Sequence, residues 1–465
     1  MYKKMEPKII TEVARIVGAK NLLVAKELLE DYSHDEFALP SLKSYPEVVA
    51  RPDDPAQIAE IMVLANRENF PVVARGGGTG LCGGCVPVFG GVVLSLEKMN
   101  RILEIDPENL MVSLESGVTL KEFYTKLKEK SLFFPPHPGE ESATVGGIIA
   151  TNAGGARAVK YGTVRNFVRE VEVVLPEGGI VHFGGKIIKD SSGYNLLHLM
   201  IGSEGTLGII TRATLSVMAL PEATLTLIVP FENIFDALKS VPEILSAGIL
   251  PLAIEFLSRP IIKITEDFLG KNWPVQKGEF YLLVILEGEE EELLRTSGRM
   301  ADICLKYKVL DIFVAQNQKK QDEILNLRSM VYEALKPQTI EILDIVLPRS
   351  CMEPHLKAVE EISGKYNIWL PTYGHAGDGN LHTHIMKVDL ERKPIENWEE
   401  RYRMVRKEIH LDARNRGGKI SGEHGIGLVK KEYLDIFMEK PVLKLMKDIK
   451  KLFDPNNILN PGKIL

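Results

Sequence analysis

The rhythm of apolar and polar positions divides this chain into two kinds of region. Over residues 54–67 (DPAQIAEIMVLANR) apolar side chains recur at helical spacing behind Asp53, Asp54 and Pro55, which predicts an amphipathic helix with a strong start signal. Residues 6–37 also read as helical, and 119–130 (TLKEFYTKLKEK) predict another helix. Short apolar runs at 71–75 (PVVAR), 91–96 (GVVLSL) and 111–117 (MVSLESG) predict strands, as do runs near 168–175 and 180–184. Residues 138–163 are glycine-rich and read as mostly irregular; 202–210 form a further glycine-rich segment. Pro221 marks a change of texture. From there to about 415, strands (TLTLIVP, LAIEFL, FYLLVILEG) alternate with helices predicted at 233–246, 289–307, 319–335, 352–364 and 396–415, an α+β pattern. The last 45 residues are rich in Gly, Pro and Asn and are expected to pack back against an earlier domain.

A chain of 465 residues exceeds one compact core, so two or three domains are expected. With 45% hydrophobic and 26% charged residues the composition is that of a soluble globular protein. The net charge of −6 argues against a nucleic acid or anionic membrane held by a broad basic surface. No uncharged apolar stretch is long enough to span a bilayer. The start, MYKKMEPKIITEVARIVG, is broken by Glu12 and Arg15 and reads as an amphipathic helix, not a signal peptide. Four cysteines make no disulfide framework in a chain of this length, so a reducing, cytoplasmic setting is expected.

Within RGGGTGLCGG (75–84), Gly78, Gly80 and Gly83 satisfy G-x-G-x-x-G. The context is wrong for a Rossmann site, because Pro87 and a strand follow where a helix should open onto the pyrophosphate. The alternative is a loop whose backbone N–H groups approach an anion directly. Two more segments poor in side chains follow, HPGEESATVGGIIATNAGGARAVKYG (137–162) and GSEGTLGIIT (202–211). Three such segments suit a long ligand laid against backbone, and FAD has the length, the two phosphates and the flat ring. Cys82 and Cys85 form a C-x-x-C but lack the helix N-terminus that activates a redox dithiol, and Cys304 and Cys351 are isolated; the pair reads as packing residues.

The densest chemistry lies in YGHAGDGNLHTH (373–384). Asp378-Gly379 predicts a two-residue hairpin turn that sets His375 directly opposite His382, with His384 on the same face. Two imidazoles so placed suit one metal ion. A second cluster, SGEHGIG (421–427), offers Glu423 and His424, and two His plus a carboxylate make a common catalytic metal set. Sequence alone leaves open whether the two clusters meet.

RPDDPAQIAEIM followed by PVVARGGGTGLCGG resembles the FAD-binding domain of the vanillyl-alcohol oxidase superfamily. Within it the chain is similar to the group of the glycolate oxidase flavin subunit, D-lactate dehydrogenase and D-2-hydroxyglutarate dehydrogenase, from about residue 40 to LFDPNNILNPGKIL. The resemblance implies an α+β protein with a two-subdomain FAD-binding domain over 1–220 (flavin-binding region about 42–220). It also implies a substrate (cap) domain with an antiparallel sheet over 221–415, and a C-terminal segment, 416–465, returning to complete the active site. It implies pyrophosphate contacts from Gly76, Gly77, Gly78, Thr79 and Gly80, and ring and ribityl contacts from Pro138, Ser142, Thr144, Gly146, Asn152, Gly205 and Ile210. Arg75, Gly139, Gly155 and Glu204 complete the cofactor set. Some relatives tether flavin through a His in the first loop, where this chain carries Thr79, so non-covalent FAD is expected.

The same resemblance implies His375, His382 and Glu423 as ligands of one divalent metal (Zn, Fe or Mn) and His424 as general base. Arg328, which by itself reads as part of a solvated helix face, takes the substrate carboxylate, a role suited to its fork-shaped donor. Tyr332, one turn on, is a weaker candidate for the same pocket; His384, where many relatives carry Asn, is a substrate contact, a further metal ligand or a donor behind the ligands, and the family pattern does not decide which. The implied reaction is oxidation of a small D-2-hydroxy acid (lactate or glycolate class; alternatively D-2-hydroxyglutarate) to the 2-oxo acid, by hydride transfer to flavin N5. Electrons would leave through a separate acceptor, such as an iron–sulfur subunit or an electron-transferring flavoprotein, since no ferredoxin-type Cys run is present. Three competing readings stand beside it. A flavin-free metallohydrolase leaves the glycine segments unused; a non-catalytic flavin subunit leaves the histidines unused; an alkyl-transferring synthase shares the fold but not the GHAGDGNLH and SGEHGIG motifs.

Overall fold

Asp54 starts its helix as the sequence predicts. Its carboxylate accepts the Ala56 amide at 2.7 Å, Pro55 occupies the first turn, and Pro55–Glu68 buries Ile58, Ile61, Met62, Leu64 and Ala65. In the computed structural model, which describes residues 2–39, 41–315 and 317–465, that face covers a small sheet. Strands Val48–Ala50, Val92–Ser95 and Val72–Arg75 run parallel in it, with Leu22–Leu23 antiparallel on the edge. Between Arg75 and Val92 no helix intervenes, so the glycine loop joins two parallel neighbours directly.

A second, five-stranded antiparallel sheet follows, in the order Ile102–Asp106, Met111–Glu115, Ile209–Ser216, Val168–Val174, Ile180–Gly184. Helices Leu120–Lys128 and Val145–Thr151 share its core, around Val112, Phe123, Phe134 and Ile149. The chain divides into two compact units. The first holds residues up to Gly154, Thr163–Leu220 and Glu423–Leu465; the second holds Gly155–Gly162 and Pro221–Gly422.

The second unit is built on seven antiparallel strands. Their order is Phe313–Val314, Ala223–Phe231, Phe280–Gly288, Ala253–Ser258, Thr372–His375, Asn380–Met386, Thr339–Val346. One apolar layer gathers Leu257, Ile261, Trp273, Tyr281, Leu327 and Val331 against the sheet.

Several elements depart from the sequence reading. The helix expected over 6–37 stops at Val17, where Gly18 turns at φ 81°, and continues as a short strand and a 3-10 segment, Lys26–Tyr32. The region 138–163 contains the helix Val145–Thr151, capped by Thr144, and a short helix Ala158–Tyr161. Residues 319–335 break at Met330 into Gln318–Ser329 and Val331–Leu335. Helix Arg259–Leu269 follows its strand directly at Ser258, with no loop between them, and strands Ile102–Asp106 and Thr339–Val346 lack clean alternation. The C-terminal stretch carries the helix Lys440–Phe453.

The histidine hairpin also differs in register. His375 faces Asn380, and His382 faces Tyr373. Residues 376–379 form a four-residue loop in which the amides of Asp378 and Gly379 both donate to the His375 carbonyl, at 3.3 and 3.0 Å. The predicted pairing is displaced by an even step, which leaves every side chain on its face. At the loop's end Gly379 sits at φ 89°, and a Cβ there would lie 2.1 Å from the Leu347 carbonyl oxygen. We therefore expect Gly379→Ala to destabilise the second unit by at least about 1–2 kcal/mol. That corresponds to a fall of roughly 2–4 °C per kcal/mol in thermal unfolding; an unchanged melting temperature would contradict the fit described.

Candidate active site

Four adjoining strands on one side of the seven-stranded sheet carry ionisable groups on one face. Glu255 stands opposite His375, which stands opposite Asn380; two residues along, Tyr373, His382 and Asp344 form the next row. All six are at most 6% exposed. Buried charge at this density has to be paired, and it is. His375 Nδ1 is hydrogen-bonded to Oε1 of Glu255, and the other oxygen of Glu255 accepts from Nε (2.9 Å) and Nη2 of Arg328. Burial raises the Glu255 pKa, but His375 and Arg328 outweigh it and hold the carboxyl down at about 2.

On its other side, His375 Nε2 lies 3.3 Å from His382 Nε2, with the rings nearly perpendicular. Two ring nitrogens converging on one point, one imidazole backed by a carboxylate on its far nitrogen, suit a divalent cation. Diagonal neighbours across a hairpin reach each other as readily here as opposed ones.

Asp344 organises the neighbouring corner. Its carboxylate accepts from Asn380 Nδ2 (2.8 Å), Ser421 Oγ (2.7 Å) and the Gly422 amide (3.0 Å). Glu423 and His424 follow Gly422 in the chain. His384 is turned away from the pair, with Nδ1 on Thr339 Oγ1 at 2.9 Å and Nε2 3.3 Å from the Tyr373 hydroxyl. Arg328, with a side chain only 16% exposed, lies over the Tyr373 ring at 4.9 Å; it is not on a solvated face. Because the helix breaks at Met330, Tyr332 is not one regular turn beyond it; its ring instead lies 6.0 Å from that of His384. Glu255 and Asp344 were not singled out from the sequence. The available signal was a carboxylate within a mostly apolar strand: Glu255 alone in LAIEFL, and Asp344 together with Glu341 in TIEILDIV.

In the first unit, the glycine loop and the second glycine segment lie against each other. A Cβ on Gly76 would come within 2.2 Å of Thr144 Oγ1, and one on Gly77 within 2.7 Å of the Ser142 carbonyl. Thr144 caps the helix Val145–Thr151, and the Gly146 amide donates to Ser116 O at 2.8 Å. Gly78, Thr79 and Gly80 complete the loop, while Pro138 and exposed Gly139 open the facing segment.

Other residues of the expected cofactor set use their side chains elsewhere. Arg75 donates to His34 O at 2.6 Å and contacts Cys85 Sγ at 3.1 Å, folded back under the loop. Asn152 accepts from Thr163 Oγ1 and the Arg165 amide. Ile210 packs its side chain into the core and is paired with Val173 in the five-stranded sheet. Gly155 opens the stretch grouped with the second unit. Glu204, at φ 51°, accepts the amides of Ile426 and Gly427, each at 2.7 Å, so its carboxylate holds the turn behind His424. Gly205 adjoins it, close to Asn460.

Beneath the glycine loop, Asp35 accepts the Gly83 amide at 2.6 Å, and burial pushes its carboxyl up to about 6. Burial also pushes Lys463 down to about 8 and raises the Cys85 thiol. A raised thiol is a poor redox nucleophile.

A parallel-strand glycine loop pressed against a second glycine segment, beside a five-stranded antiparallel sheet, defines a flavin-binding fold of the PCMH type. The comparisons agree. Residues 46–184 match the model of the FAD binding domain, and residues 220–464 match that of FAD linked oxidases, C-terminal domain. The chain belongs to the FAD-linked oxidase family and is an FAD-linked oxidoreductase. It is 44% identical to a D-lactate dehydrogenase of Archaeoglobus fulgidus, over 90% of this chain and 91% of that one. It is 39% identical to the glycolate oxidase subunit GlcD of Bacillus subtilis, over 93% and 91%. Among solved structures, p-cresol methylhydroxylase aligns with a TM-score of 0.80 at 18% identity, over 98% of this chain and 96% of that one. Alkyldihydroxyacetonephosphate synthase aligns at 0.75 and 18%, over 99% and 86%. Among the described residues no helix is long and apolar enough to cross a membrane.

Inserting a Cβ at Gly76 overpacks the two glycine segments, at a cost of about 1–3 kcal/mol. Gly76→Ala is expected to weaken FAD binding about tenfold or more. Gly298→Ala, in a helix with open space around it, should leave flavin content unchanged. Equal flavin retention in the two purified variants would show that the segments do not meet as described.

Proposed function

We propose that this protein oxidises a small D-2-hydroxy acid, of the lactate or glycolate class, to the 2-oxo acid. The single observation that carries the reading is the pair of facing Nε2 atoms on His375 and His382, set on one sheet face with Arg328. A metal-binding imidazole pair beside a guanidinium suits an α-hydroxy carboxylate, and the relatives named D-lactate dehydrogenase and glycolate oxidase subunit GlcD support the substrate class.

In this reading His375, His382 and Glu423 hold a divalent cation. Glu423 is a reasonable third ligand because the Asp344 carboxylate, directly across the strand pair from His382, fixes Gly422 one residue before it. When bound, the cation would polarise the substrate hydroxyl and the flavin would accept the hydride. Arg328 binds the substrate carboxylate, oriented in advance by Glu255 and the Tyr373 ring. His424, as the neutral imidazole, takes the hydroxyl proton at one ring nitrogen. The cofactor loop Gly76–Gly80 holds FAD without a covalent tether, since Thr79 offers no imidazole. The electron acceptor is a separate protein, an iron–sulfur or electron-transferring flavoprotein partner. Tyr332 borders the substrate pocket beside the His384 ring.

Anaerobic mixing with a panel of D- and L-hydroxy acids should bleach the flavin's visible band with short D-hydroxy acids first; a flavin untouched by every member rejects the reading. His382→Ala should lose bound metal and turnover together while the protein stays yellow, as metal analysis and absorbance would show. His424→Ala should cut turnover by roughly 10²–10⁴-fold with metal and flavin retained; near-normal turnover removes it as the base.

A further inference from the structure

One carboxylate, Glu255, touches both halves of the chemistry assigned above. We propose that it is a positioning residue which fixes the tautomer of His375 and the orientation of Arg328 at once. Metal affinity and substrate-carboxylate affinity therefore depend on a single buried side chain. The inference rests on the reading of His375 as a metal ligand and Arg328 as the carboxylate binder.

The geometry leaves Glu255 little freedom. It lies in the middle of Ala253–Ser258, with strand neighbours on both sides, and is 2% exposed. Oε1 takes Nδ1 of His375 and Oε2 takes Nε and Nη2 of Arg328, so the two oxygens are divided between the two partners. An ionised carboxylate only accepts, so the hydrogen bond to His375 keeps a proton on Nδ1. Nε2, the nitrogen facing His382, then presents its lone pair toward the cation site. The same acceptor holds one edge of the guanidinium while the Tyr373 ring lies against its face at 4.9 Å. A long, flexible side chain is thus fixed before substrate arrives, which removes an ordering cost from binding.

Glutamine is the informative replacement, because it keeps the shape but offers one acceptor oxygen and one donor amide. If the amide faces His375, Nδ1 must accept and the proton moves to Nε2, the nitrogen the cation needs. If it faces Arg328, two donors oppose each other. Either way one partner is lost.

Purified flavoprotein, stripped with chelator, would be titrated with Mn²⁺, and the Michaelis constant for D-lactate measured after reloading. Glu255→Gln is expected to weaken Mn²⁺ binding about 10–100-fold and to raise KM for D-lactate at least several-fold, with flavin content retained. Arg328→Met should raise KM alone, and Glu255→Asp, which keeps the charge, should recover part of the Mn²⁺ affinity. Glu255→Gln with Mn²⁺ affinity within threefold of the wild type overturns the proposal and leaves the metal reading standing. A wild-type protein that takes up no divalent cation overturns both. Should Glu255→Gln fail to fold, ¹⁵N-histidine spectra of the Zn²⁺-loaded wild type decide: the proton of His375 belongs on Nδ1, and finding it on Nε2 overturns the assignment.

Discussion

Charge placed in the middle of a sheet, away from water, has to be paired where it stands, and the second unit is arranged around that constraint. Glu255, His375 and His382 on inner strands, and Asp344 on the adjoining last strand, occupy buried positions where an apolar residue would pack at no electrostatic cost. Each has a partner fixed by strand register: Glu255 meets His375 across one pair, and Asp344 faces His382 across another. Register is in turn secured by the long antiparallel pairings outside this patch, such as the nine-residue ladder between Ala223–Phe231 and Phe280–Gly288. The apolar flanks of the sheet thereby stabilise a central arrangement that is costly by itself. Removing one partner from such a row leaves the other buried and uncompensated, so these residues couple strongly to one another.

Much of this was legible in the sequence, for identifiable reasons. The convergence of His375 and His382 followed from the period of two along a strand and from a turn signal at Asp378-Gly379. The register did not follow, because Asp-Gly begins longer loops as well as two-residue ones, and the amides that close this loop donate to His375 itself. Face survives an even shift while pairing does not, so the two imidazoles converge even though the ladder is displaced. Glu255 was out of reach for another reason: its partners lie 120 and 73 residues away, and only the assembled sheet brings them together. What the sequence offered was an inconsistency, a carboxylate in an apolar strand. Such local violations of pattern tend to mark functional positions.

The glycine segments show the converse. Their composition declared a backbone-lined ligand site, and the context of the first segment excluded a Rossmann arrangement before any fold was in view. Which neighbouring side chains face the ligand was not declared. Arg75 and Glu204 sit within the motifs, yet Arg75 folds back onto His34 and Cys85, and Glu204 spends its carboxylate on two amides of the 426–427 turn. A charged residue inside a cofactor motif is as apt to brace the loop as to touch the ligand. The distinction is one of hydrogen-bond satisfaction, since a buried carboxylate goes to the nearest donors. The first unit supplies both from its own backbone.

Fold alone would not have separated oxidation from other chemistry. A hydroxylase of p-cresol and an alkyldihydroxyacetonephosphate synthase share this architecture at 18% identity, so the frame is compatible with reactions of different type. What narrows the choice is the chemistry mounted on the sheet of the second unit. A pair of facing imidazole nitrogens suits a cation, and on the proposed reading a cation beside a fixed guanidinium would favour a substrate with adjacent oxygen donors and a carboxylate. A phenol offers no carboxylate to the guanidinium. The flavin supplies a two-electron sink common to many substrates, so on the proposed reading the choice among them falls to side chains such as Arg328 and Glu255.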